Sequence, residues 1–219
     1  MKIPAVLSML VCAVALADPP PVATPDGSPQ KRPVAITPVF SQLVAMAFPE
    51  GFVPAYENTS GKNYIQEAVP RGETVDDWSQ MVTLTGARDL ALNPEMSPPV
   101  FMSGMANGFK GQCPATFATK ALGKLAINGH AAFVALIGCG ALQSGKPHSE
   151  MALVVAIKGS TDMYSIQWAE RGPPTDQPPV FDEARWRLRF RQLSPIKVCD
   201  RVPDEKPPYP SCLDLPAGK

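Results

Sequence analysis

The sequence predicts an α+β fold: a mostly antiparallel sheet of about six to eight strands with helices on its faces. Three observations carry this. The stretches HAAFVALIGCG (His130 to Gly140) and MALVVAIKG (Met151 to Gly159) are unbroken apolar runs, the pattern of central strands covered on both sides. MYSIQWAER follows the second run after the polar turn KGSTDM, so the two read as an antiparallel hairpin. It alternates cleanly, with Tyr164, Ile166 and Trp168 on one side and Ser165 and Gln167 on the other. Finally, helix signals are confined to two segments, so the sheet dominates.

The elements are taken in chain order. MKIPAVLSMLVCAVALA joins Lys2 to an apolar stretch and ends in Ala15-Leu16-Ala17, small residues where a signal peptidase needs them. Residues 1–17 are therefore a secretory signal peptide cleaved near Ala17, too short in its apolar part for a comfortable membrane span. A lipidated Cys12 is the rival, but Val11 stands before it where a small residue is wanted. Residues 18–38 are proline-rich and read as a flexible leader. Residues 39–199 have the size of one α+β domain. Residues 200–219 are again proline-rich and form a tail tied back by a disulfide.

Within the domain, FSQLVAMAF is a strand ending at Pro49. GFVPAYENTSGKNYIQEAVP is two short strands around Asn58-Thr59-Ser60-Gly61. In DDWSQMVTLTG, Val82 and Leu84 face one way and Met81, Thr83 and Thr85 the other. Ser97 is placed to cap a helix with Pro98 near its first turn. Phe101, Met105 and Phe109 follow at helical spacing, and Gly111 is the stop before Cys113. FDEARWRLRFRQLSP fits a helix with a Trp186, Phe190 and Leu193 stripe better than a strand with four arginines on one side.

Five cysteines become four on cleavage: Cys113, Cys139, Cys199 and Cys212. An even count in an exported chain points to two disulfides, and pairing sequence neighbours gives Cys113–Cys139 and Cys199–Cys212. A zinc site of four thiolates lacks any C-x-x-C pair to support it.

Two stretches resemble known exported proteins. LVAMAFPEGFVPAY is similar to the opening of the PsbP-like α-β-α sandwich: a short strand, a Pro-Glu-Gly-Phe turn and a second strand. VPRGETVDDWSQMVTLTG resembles small uncharacterised exported bacterial proteins in which Gly-Glu-Thr precedes a tryptophan-led strand. In outline the likeness spans residues 40–199. It implies a sandwich fold and an exported location, and it transfers no functional residue.

Three clusters look like chemistry. Cys139, His148 and Glu150 lie within twelve positions, and His148 with Glu150 could supply two metal ligands if His130 converged from another strand. As a disulfide cysteine, Cys139 is no nucleophile. Glu73, Asp76 and Asp77 are close together, but their spacing is irregular for a cation loop. Arg185, Arg187, Arg189 and Arg191 form either an anion-binding segment or a solvated helix face. Asn58-Thr59-Ser60 is a glycosylation sequon, relevant only in a eukaryotic secretory pathway.

A formal net charge of zero excludes a nucleic-acid binder driven by bulk electrostatics. No phosphate loop, G-x-S-x-G elbow or H-E-x-x-H pair is present. The expectation is an exported, non-enzymatic binding or accessory protein of the periplasm or cell envelope. It has no cofactor, no transmembrane span once mature, and another envelope or secreted protein as partner. The alternatives are a small metal-dependent or hydrolase-like enzyme using His148, Glu150 and His130, and a structural envelope protein holding anionic polymer through its arginines.

Overall fold

The two apolar runs lie side by side inside a seven-stranded antiparallel sheet. The computed structural model describes residues 33–142 and 146–213. The chain divides into Met1–Lys31, which lies outside them together with the signal-peptide reading, and Arg32–Lys219, which carries the fold. The strands are β1 (Val34–Val39), β2 (Gln42–Ala47), β3 (Phe52–Ser60), β4 (Asn63–Pro70), β5 (Gln80–Ala87), β6 (Phe117–Ile127), β7 (His130–Leu142), β8 (His148–Lys158), β9 (Met163–Gly172) and β10 (Lys197–Asp200). The helices are α1 (Pro98–Gln112) and α2 (Glu183–Leu193). The large sheet has the order β3-β4-β5-β9-β8-β7-β6, and β1-β2-β10 form a second, three-stranded sheet. The α+β, mostly antiparallel class is therefore the one read from the sequence.

Each apolar run divides its residues between two cores. From β7 and β8, Val134, Leu136, Leu153, Val155 and Ile157 join Tyr164, Ile166 and Trp168 of β9 in one cluster. That cluster is closed by Val39, Val44 and Met46 of the small sheet and by Trp186 and Leu193 of α2. Ala135, Ile137, Ala152, Val154 and Ala156 face the other way, onto Met102, Met105 and Phe109 of α1. The alanines keep that face shallow, so α1 sits close to it. A sheet with both faces covered must read as continuous apolar sequence, which is why alternation is lost there.

β9 and α2 follow the sequence reading. Asp182 caps α2, its carboxylate accepting from the amides of Ala184 (3.0 Å) and Arg185 (3.2 Å). Glu183 lies in the first turn and Arg191 in the last, both favourable to the helix dipole. In α1, Ser97 takes the cap position without a side-chain cap, and the helix continues through Gly111 to Gln112.

Several expectations need correction. β1 lies inside the stretch read as a leader to Pro38: Val34 pairs with Ala47 and Val39 with Gln42. As β1 is an edge strand, Pro38 can sit in it without removing an interior ladder bond. The β3–β4 turn is at Gly61-Lys62, so Asn58 to Ser60 are strand residues facing Ile65 to Asn63. β6 had no expectation at all. It is an edge strand of the seven-stranded sheet, with Lys120 and Lys124 exposed and a bulge between Ala121 and Gly123, so its alternation is broken.

Both expected cysteine pairs are joined, with Cα–Cα distances of 5.8 Å for Cys113–Cys139 and 5.7 Å for Cys199–Cys212. The first ties the end of α1 to β7. The second holds the proline-rich tail against β2, with Cys212 buried beside Leu43 and Ala45.

The motif Gly138-Cys139-Gly140 follows from strand parity. Cys139 points to the α1 face and reaches Cys113. The glycines on either side leave the other face bare, and the segment between β9 and α2 crosses there. A Cβ on Gly138 would meet Pro179 at 2.8 Å, and one on Gly140 would meet the carbonyls of Thr175 (2.8 Å) and Gln177. The amide of Thr175 donates to the Gly140 carbonyl at 2.8 Å. Close approach of a second backbone is what requires glycine here.

Candidate functional site

Parity along β8 and β9 builds the site. On β8, His148 and Glu150 share the α1 face with Ala152. On β9, Arg171 shares it with Ala169, and Glu150 stands directly opposite Arg171 across the ladder. Beyond the end of α1 this face is uncovered. The loop before β5 folds over it and leaves a groove of about 850 Å³, lined by Glu73 to Ser79 on one side and by Lys146 to His148 and Arg171 to Pro174 on the other. The groove thus brings His148 of one cluster singled out in the sequence to Glu73, Asp76 and Asp77 of another.

Arg171 is held from two directions. Its guanidinium lies 3.7 Å from the centre of the Trp78 ring, and its Nε donates to Glu150 Oε2 at 3.3 Å. Stacking and a charged hydrogen bond fix the plane of the group. Its two terminal nitrogens have no hydrogen bond among the described residues.

His148 lies on the same carboxylate. Its Nδ1 is 2.7 Å from the Lys146 carbonyl, which can only accept, so this nitrogen carries the hydrogen. Its Nε2 lies 3.5 Å from Glu150 Oε2. That nitrogen is buried and has no hydrogen bond.

The acidic wall is braced internally. Glu73 accepts from the Ser79 amide (2.6 Å) and hydroxyl (2.7 Å). The Thr74 amide donates to the Asp77 carbonyl at 3.1 Å, and the Asp77 amide donates to the Thr74 hydroxyl at 3.2 Å. These bonds leave the carboxylates of Asp76 and Asp77 exposed and unpaired among the described residues.

The remaining expected site residues lie elsewhere. His130 begins β7, its Nδ1 3.2 Å from the Lys158 carbonyl. Lys158 ends the strand that His148 begins, so the two histidines stand roughly 30 Å apart at strand rise. The set His130, His148 and Glu150 is therefore not formed, and no group of three metal-ligating side chains occurs among the described residues.

The arginine segment is divided by the helix. Arg185 and Arg189 turn inward onto Glu170, which is 5% exposed. Arg189 Nε donates to Oε1 at 2.7 Å, and Arg185 Nη2 donates to Oε2. Arg189 also lies 4.6 Å from the Trp168 ring centre. Arg187 pairs with Glu183 at 3.2 Å, and Glu183 is shared with Lys120. Three of the four arginines thus hold α2 in place or pair along it, rather than waiting for an external anion.

Sequence reasoning missed Arg171, Lys146 and Asp162. Extending the β9 alternation by two positions would have placed Arg171 with Ala169, opposite Trp168. Asp162 was read as part of a polar turn, yet it is 1% exposed. Burial alone raises its pKa. The Ser41 hydroxyl (2.5 Å), the amides of Asp89 (2.7 Å) and Ser41 (3.1 Å), and Thr161 outweigh that and hold the group below its ordinary value. With Gln42, which bridges Ser160 and Asp200, it fastens the small sheet to the β8–β9 turn.

No protein-family model and no curated protein matches the chain. Among solved structures it is similar to the Ran-binding protein Mog1p of Saccharomyces cerevisiae, at 14% identity and a TM-score of 0.46, covering 77% of this chain and 97% of that one. A Mog1 point mutant gives 13% and 0.40, over 74% and 85%. PA94 of Pseudomonas aeruginosa, a protein of unknown function, gives 16% and 0.34, over 74% and 96%. None of these three is a PsbP protein, and each is a likeness of fold outline from which no activity or partner is carried.

Proposed function

We propose that this chain is an exported, non-enzymatic binding or accessory protein of the periplasm or cell envelope, and that the groove at the ends of β8 and β9 receives its partner. One observation carries the reading: an arginine fixed on a tryptophan face, its terminal nitrogens unbonded among the described residues, in an open groove of about 850 Å³. That volume is in the range of ligand sites. The partner is another envelope or secreted protein, and no cofactor is required. Two disulfides fit an oxidising compartment reached through a signal peptide cleaved near Ala17. Among the described residues no helix is long and apolar enough to cross a membrane. A PsbP-like sandwich is the family we favour for the fold.

Catalysis is disfavoured by how the groove's groups are engaged. The Cys139 sulfur is bonded to Cys113. His148 contacts a carbonyl and a carboxylate rather than a hydroxyl or thiol it could activate. The test is photo-crosslinking in the native host, with the reactive group at Asp76 in the groove or at Leu92 near the far end of β8. One partner should be captured from Asp76 and not from Leu92. Equal capture from both positions would refute the groove, and a hydrolytic activity lost in His148→Ala would refute the non-enzymatic reading.

A further inference from the structure

The groove's two walls carry opposite charges, Lys146 and Arg171 on one and Asp76 and Asp77 on the other, and this narrows what it can hold. Resting on the binding role proposed above, we infer that what the groove takes is a short unblocked peptide derived from such a partner. The carboxylate end lies on Arg171 and Lys146, and the ammonium end on Asp76 and Asp77.

Three arguments converge. First, the Arg171 plane is fixed by Trp78 and Glu150 before any ligand arrives, and its two terminal nitrogens form the parallel fork that matches a carboxylate. Lys146 lines the same wall and has no ion pair among the described residues. Second, a simple anion is a poor occupant. Glu73, Asp76 and Asp77 outnumber Arg171 and Lys146, so an anion on Arg171 also meets the field of the facing wall. A simple cation meets the converse problem. A ligand with both charges relieves both walls. Third, the walls also present apolar surface, from Val75, Pro147, Pro173 and Pro174, which suits small aliphatic side chains. Asp76 and Asp77 are held ready by the Thr74 and Ser79 bonds that brace their loop, so little ordering is needed on binding.

The experiment is calorimetric titration of the exported chain with trialanine, N-acetyl-trialanine and trialanine amide. Trialanine should bind. Acetylation or amidation should each weaken it about tenfold or more, the cost of leaving one charged partner unmatched. In Arg171→Gln/Lys146→Gln the free peptide and the amide should become equivalent. In Asp76→Asn/Asp77→Asn the free and acetylated peptides should become equivalent. The aspartates are exposed, so the second variant keeps the test valid if the first fails to fold. Equal affinity for all three peptides overturns the inference. So does absence of binding at millimolar trialanine, and if crosslinking from Asp76 then persists, the binding role stands and only this ligand class falls.

Discussion

Two faces of one strand carry the same trio. On the α2 face of β9, Glu170 holds Arg189, which lies over Trp168. On the opposite face, Arg171 lies over Trp78 and bonds Glu150. Residue types are alike, but the surroundings differ. Glu170 takes two arginines, and Arg189 is bonded further to Gln192 at 3.1 Å. That trio is closed by a helix and completes the core. Arg171 bonds once and ends in an open groove. An ion pair therefore acts as a lock or as a receptor according to what covers it, since cover removes both water and any outside partner.

The largest test of this contrast is Trp168→Ala, which should cost about 4 kcal/mol in urea unfolding because the ring is fully enclosed. Trp78→Ala, at the edge of the groove, should cost clearly less; equal losses would mean that the two faces are equally closed.

Cys113→Ala/Cys139→Ala is expected to cost about 3.5 kcal/mol from loop closure, measured by thermal melting without reductant. Because this bond ties α1 beside the groove, peptide affinity should fall with it. The Cys199–Cys212 pair, with its shorter loop, should cost about 3 kcal/mol and leave affinity unchanged.

Glu170→Ala strands Arg189 and should cost about 3 kcal/mol, at the low end for a buried pair because Arg185 is half exposed. Glu150→Ala should cost about 1 kcal/mol in stability while weakening ligand binding, since Arg171 then loses the bond that sets its plane. The reverse order of stability losses would break the comparison.

The smallest effect expected is at low pH. Asp162 has a carboxyl pKa lowered in the folded state from an ordinary 3.8, so its contribution is complete above that value. The contribution is lost as pH falls through the lowered folded value. Asp162→Asn should flatten this acid limb below about pH 4, and an unchanged limb would show that other carboxylates set it.

Much of the fold was legible because its signals are local. The apolar runs of β7 and β8, the alternation of Tyr164, Ile166 and Trp168, and the Trp186 stripe each sit within a few residues. The failures have equally physical causes. Proline density hid β1, because an edge strand tolerates proline. Lys120, Gly123 and Lys124 hid β6, because an edge strand with a bulge has no clean period. For the site, His148, Glu150 and the Glu73–Asp77 loop were singled out, but their meeting was not foreseen and His130 was wrongly grouped with them.

Side-chain periodicity is a property of the chain itself, and so the sequence alone determined the sheet-and-helix class, the two faces of β5 and β9 and the α2 stripe. The spacing of the four cysteines after residue 100 also limited the pairings. Tertiary structure decided which Glu meets which Arg, that Gly138 and Gly140 make room for the segment crossing β7, and that the β8–β9 end stays uncovered. Those outcomes depend on strand register and on where a connection crosses. Both are set by contacts between residues far apart in the chain, whose energies no local pattern records.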